Sequence, residues 1–107
     1  MFWREDSREV YVLHDDHTWR AFNDTWQEGQ LEDDPNLTVP PGLFQPKRGF
    51  GKVWREELGG PASQIGWAVE EERGFTGVVQ AFGGGIIFGS DLGPAYVLYA
   101  DGSWEPQ

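Results

Sequence analysis

Residues 11–19 read YVLHDDHTW, and residues 96–104 read YVLYADGSW, 85 positions further on. Tyr, Val, Leu, Asp and Trp recur, and Thr18 falls opposite Ser103. Continued upstream without a gap, the match sets Met1, Phe2 and Trp3 on Ile86, Ile87 and Phe88, and Asp6 on Asp91. A period of that length in a chain of 107 residues amounts to one whole unit and the start of the next. The two copies constrain each other. HDDH, taken alone, gathers four side chains that can ligate a metal. Its counterpart, YADG, cannot, because Gly102 stands where the first copy has His17. Asp-Gly between two β-prone runs is instead a strong hairpin signal, with a type I′ turn as the usual form. Both stretches are therefore read as hairpin tips, and no metal or cofactor is expected.

The rest of the chain agrees with a mainly β fold. Fifteen Gly and seven Pro break it into short pieces, and six Trp, seven Phe and three Tyr supply bulk for a modest core. Alternation of apolar and polar residues predicts strands at about 1–4, 10–14 and 18–22, then 77–82, 85–89, 95–100 and 103–105. Phe50, Val53, Trp54 and Leu58 form the one helical stripe, and Gly59-Gly60-Pro61 ends it. The expected architecture is a single domain over 1–107. It holds a first β-meander at 1–23, an acidic Pro-containing loop at 24–47, a short helix at 48–60, and a second meander with its lead-in at 61–107. Such meanders suit a propeller-blade-like arrangement or a small sandwich or barrel. Trp26, Leu37, Leu43 and Phe44 are expected to tuck the long loop against the core. The second meander has a strand, VVQAF, that the first lacks, so an open sheet edge is expected near residue 1.

Eighteen acids against eight bases give a net charge of −10, which disfavours nucleic acid and anionic lipid as partners. No apolar run has the length of a membrane span. There is no Cys, which excludes disulfides and thiolate chemistry. The opening MFWREDSREV turns charged at once and is not a signal peptide, while the period of the repeat favours a piece cut from a longer precursor. No nucleophile elbow or phosphate loop is present, and runs such as EDD and EEE read as solvated faces. A hydrolytic enzyme is accordingly a distant third reading, with no catalytic residue to name.

Residues 50–104 resemble the LGFP repeat of bacterial cell-envelope proteins. The matching positions are Phe50, Trp54, LGG at 58–60, IGWA at 65–68, Glu70, QAFGGGI at 80–86 and GPAYVL at 93–98. Ala68 replaces the name-giving proline, and the unit is lengthened by the acidic loop. The resemblance implies a non-catalytic module at the cell surface or outside the cell that ties an attached protein to cell-wall or extracellular polysaccharide. Trp67 and Trp26 are the candidates for stacking on sugar rings. Lys47, Arg48, Lys52 and Arg55 form a basic island that could hold an anionic polysaccharide or the acidic stretch of another copy. The expected partners are thus a polysaccharide or a second copy of the chain, the latter making it a self-assembling unit by strand pairing or charge contrast.

Overall fold

The computed structural model describes residues 1–91 and 93–107. The chain is mainly β, with two antiparallel sheets and one short helix. The first sheet has the order β1-β2-β3, from Phe2–Arg4, Glu9–Leu13 and Trp19–Asn23. The second has the order β4-β5-β6-β7, from Gly77–Phe82, Gly85–Ser90, Gly93–Tyr99 and Trp104–Pro106. The helix α1 spans Arg48–Val53 and continues as a π-type turn over Trp54–Leu58. Gly59, at φ 101°, ends it in the left-handed conformation that glycine adopts without cost. The seven strands and the helix stand within a residue or two of where periodicity places them.

The chain divides into two compact units. One is Met1–Tyr11 with Ala21–Glu72, and the other is Val12–Arg20 with Arg73–Gln107. In the first unit, β1 pairs with β2 in the register Phe2 to Tyr11, Trp3 to Val10 and Arg4 to Glu9. Val10 and Tyr11 are buried on opposite faces of the strand, and Phe2 stacks on Tyr11 at 4.8 Å. Arg4 closes the turn that follows, with its guanidinium on both carboxylate oxygens of Asp6 at 2.8 and 3.0 Å. That pairing holds the Asp6 carboxyl below the usual carboxylate range. The helical stripe packs as its spacing requires: Trp54 and Val53 are buried, and the Trp54 indole donates to Gly66 O at 2.8 Å.

The acidic loop is ordered by side chains. Gln45 is buried and clasps residue 34, taking its N–H at 2.7 Å and donating to its carbonyl at 3.0 Å. Asp24 and Asp34 each accept a backbone N–H two residues on, so these carboxylates shape turns. Phe44 and Ala68 exchange both backbone hydrogen bonds, at 2.9 and 3.1 Å. Ala68 donates one of them. A proline there, as in the LGFP pattern, has no N–H to give.

The second unit contains both hairpin tips, and they pair with each other. Thr18 bridges Ser103. Trp19 N donates to Gly102 O, and Trp104 N donates to His17 O, each at 2.8 Å. The Trp19 indole donates to Tyr99 O, and the Trp104 indole to His14 O, again at 2.8 Å. Within each tip, Asp16 or Asp101 accepts the N–H and hydroxyl of Thr18 or Ser103. Every one of these bonds maps onto another when the two tips are exchanged, so the pair has local twofold symmetry.

Two expectations are corrected in detail. The turns are not type I′: among the described residues of the tips only His17 (φ 65°) and Gly102 (φ 90°) have positive φ. His17 N bonds His14 O and Gly102 N bonds Tyr99 O, which is a type I turn followed by one left-handed residue. The aspartate that binds the next N–H and hydroxyl stabilises this form. The ungapped match upstream of the tips also fails. Phe2 pairs with Tyr11, whereas Phe88, not Ile87, pairs with Tyr96. The two meanders are out of step by one residue before their hairpins.

Candidate aromatic cleft

A cleft of about 880 Å3 opens in the first unit. Its wall is assembled from five separate pieces of chain. Edge strand β1 contributes Trp3, and the turn before β2 contributes Arg8. The segment after β3 contributes Asp24 to Glu28, and the start of α1 contributes Arg48, Gly49 and Phe50, with Glu72 beside them. Backbone bonds fix these pieces. Asp24 N donates to Arg8 O at 2.8 Å, and Arg48 N to Glu32 O at 2.7 Å. Gly49 allows close approach, since a Cβ there would stand 2.7 Å from the Asp24 carboxylate and that side chain would have to shift.

Trp26 is half-buried in the wall. Its indole N–H is spent on Leu31 O at 3.1 Å and its backbone N–H on Asp24 at 3.1 Å, which locks the ring. Trp3 is 40% exposed, because Phe2 takes the inward face of an edge strand and leaves its neighbour outward. Phe50 completes the apolar lining. Two arginines and three carboxylates, Asp24, Glu28 and Glu72, surround these rings. Arg48 faces Glu72 at 3.4 Å and Glu32 at 4.0 Å, so part of its charge is balanced inside the wall. Arg8 forms no ion pair among the described residues. The result is a locked aromatic lining with hydrogen-bonding groups of both signs and little net charge.

No family model matches the chain, and neither does any curated protein or solved structure.

The sequence candidates separate in space. Trp26 and Arg48 line the cleft together. Lys52 reaches its rim, where the ammonium donates to Thr25 O at 3.4 Å. Lys47 is exposed, and its carbonyl accepts Gly51 N at the helix start. Arg55 folds back along the helix toward Gly51, with Nη1 buried and without a hydrogen-bond partner. Trp67 lies outside the cleft wall and packs against Trp54 at 5.2 Å. Trp3, Arg8 and Glu72 are among the wall residues that sequence reasoning does not select. Trp3 had a signal, since an outward-facing Trp on a short edge strand is unusual. Arg8, in a polar turn at φ 52°, had none.

Proposed function

We propose that this chain is a non-catalytic module of the bacterial cell surface that binds cell-wall or extracellular polysaccharide in the Trp3–Trp26 cleft. The observation that carries this reading is the lining itself. Two indole rings and a phenyl ring, one indole locked by its own hydrogen bonds, stand among arginine, glutamine and carboxylate groups. Sugar rings offer apolar C–H faces to such aromatics and hydroxyls to such polar groups. The volume fits the range of roughly 300–1,000 Å3 found for small-ligand sites. The LGFP-like motifs in residues 50–104 point to the same class of ligand.

The charge balance of the wall favours an uncharged glycan. Three carboxylates face two arginines, one of which is already engaged by Glu72. The basic island expected from 47–55 is dispersed, with Arg55 turned inward and Lys52 tied to Thr25.

The test is retention on insoluble peptidoglycan and on neutral glucans, with the fold of each variant checked by circular dichroism. Trp3→Ala and Trp26→Ala are expected to weaken retention by about tenfold or more, each corresponding to at least about 1.4 kcal/mol. Trp67→Ala, normalised for folded protein, is expected to bind as the parent does. Equal retention by all three variants, or none by the parent, would refute the reading.

A further inference from the structure

The edge strands of the two sheets differ in one respect. β1 carries Arg4, β3 carries Arg20, and β7 carries Glu105 and Pro106. Charges and proline on an edge are what keep sheets from pairing with one another. The fourth edge, β4, reads GVVQAF and has neither. It is also six residues long and largely exposed, with Val78 at 73% and Phe82 at 53%.

Its hydrogen-bonding phase is fixed. Asp91 N donates to Thr76 O, one step beyond the Gly77 to Ser90 pair. In an antiparallel ladder such groups alternate, so Val78, Gln80 and Phe82 turn their peptide groups toward β5. Gly77, Val79 and Ala81 turn theirs out of the sheet. Among the described residues no backbone or side-chain group elsewhere in the chain bonds to these three outward peptides.

That row of three is self-complementary about its centre. We propose that β4 pairs antiparallel with β4 of a second copy across a twofold axis at Val79. Val79 then faces Val79 of the other copy, and Gly77 faces Ala81 in both directions. Each of these pairs is of the hydrogen-bonded kind and exchanges two backbone bonds. Two four-stranded sheets become one continuous sheet, with Val78 and Phe82 of both copies along its seam.

The strength of the contact follows from its size. Six residues a side is well short of the roughly 20–30 that stable interfaces use. The dimer is therefore weak and forms as concentration rises. Each chain carries −10, and salt screens their repulsion, so added salt promotes the dimer. Assembly driven by charge contrast between copies would respond in the opposite direction. The pairing uses none of the cleft's residues, and it would give a polysaccharide two attachment points on one particle.

Sedimentation velocity over a concentration and salt series tests the proposal, with Ala81→Lys as the edge-blocking variant. The parent is expected to shift from monomer to dimer with concentration, more readily at higher salt, and Ala81→Lys to stay monomeric throughout. Because the chain has no cysteine, Val79→Cys places a single thiol on the axis. Paired Cα atoms there stand about 5.5 Å apart, within disulfide range. Oxidation is expected to link Val79→Cys into covalent dimers and to leave Val39→Cys, on the exposed loop of the other unit, unlinked. A parent that remains monomeric, an Ala81→Lys variant that dimerises like the parent, or equal cross-linking at 39 and 79 would overturn the proposal.

Discussion

The paired hairpin tips predict an asymmetry that their symmetry hides. Trp19 and Trp104 occupy equivalent positions, and each indole donates one 2.8 Å bond to a carbonyl of the opposite tip. The acceptors differ in burial. His14 is buried, whereas Tyr99 is 37% exposed. Changing either Trp to Phe removes the N–H and keeps a ring, so the lost ring area is similar in both. With Trp19→Phe, water replaces the indole at Tyr99 O, and the loss is that of an ordinary net hydrogen bond, about 1 kcal/mol. With Trp104→Phe, His14 O keeps the bond from His17 N but loses its second donor in a less solvated setting, so the loss lies at the upper end for a net hydrogen bond, about 1.5 kcal/mol. Trp104 also loses part of its contact with Tyr96 at 5.8 Å and with the His17 ring at 5.0 Å. Trp104→Phe is therefore expected to destabilise more than Trp19→Phe, by roughly 0.5–1 kcal/mol from the less solvated bond and the two ring contacts together. Urea unfolding followed by far-UV circular dichroism measures this, with the slope unchanged if the unfolded states are alike. Equal losses, or a larger one at Trp19, would show that carbonyl burial does not set the energetics of the tips.

Three further outcomes follow from local geometry. Ala68→Pro, which restores the residue of the LGFP pattern, is expected to destabilise by at least about 1 kcal/mol in thermal unfolding, because Phe44 O loses its donor. Gly51→Ala should gain about 1 kcal/mol by helix propensity alone. Here the new Cβ would stand 2.5 Å from Pro46 O, so a net loss of about 1–3 kcal/mol is expected in the same assay. The Ser103 hydroxyl and backbone N–H hold the Asp101 carboxyl below its ordinary value. Its contribution is thus complete above the unfolded value near 3.9 and fades as pH falls through the lower folded value. Asp101→Asn is expected to flatten the acid limb of a melting-temperature profile against pH, and an unchanged limb would show that the tip hydrogen bonds do not couple to folding.

Strands and helix were legible because each rests on a short-range rule. Val10 and Val12 alternate with Tyr11, the Phe50–Leu58 stripe has helical spacing, and Gly59 supplies the stop. The turn type was not legible, since Asp-Gly fits two hairpin forms and the choice lies with the aspartate's bonds to Ser103. Nor was the pairing of the tips. Their likeness was visible, but a match between two segments does not state that they touch. The cleft was half legible. Trp26 and Arg48 stood out by residue type, whereas Trp3, Arg8 and Glu72 join them only through the course of the chain. Trp67 stands out in the sequence as a ligand-stacking candidate and Trp54 as part of the helical stripe, and neither reading says that the two rings meet.

The bonded tips also set an order of events during synthesis. Residues 14–19 find their partners at 99–104, so the first hairpin leaves the ribosome long before its complement exists. At about 5–20 residues per second, that interval is roughly 4–17 seconds. Hairpins themselves form in about 1–10 microseconds. Until its complement emerges, the early tip lacks the partners of His17 O and Trp19 N, which meet Trp104 N and Gly102 O in the finished fold. A neighbouring chain emerging beside it carries the same tip, and because the bonds of the contact map onto one another under its twofold symmetry, that tip offers the same hydrogen-bonding groups.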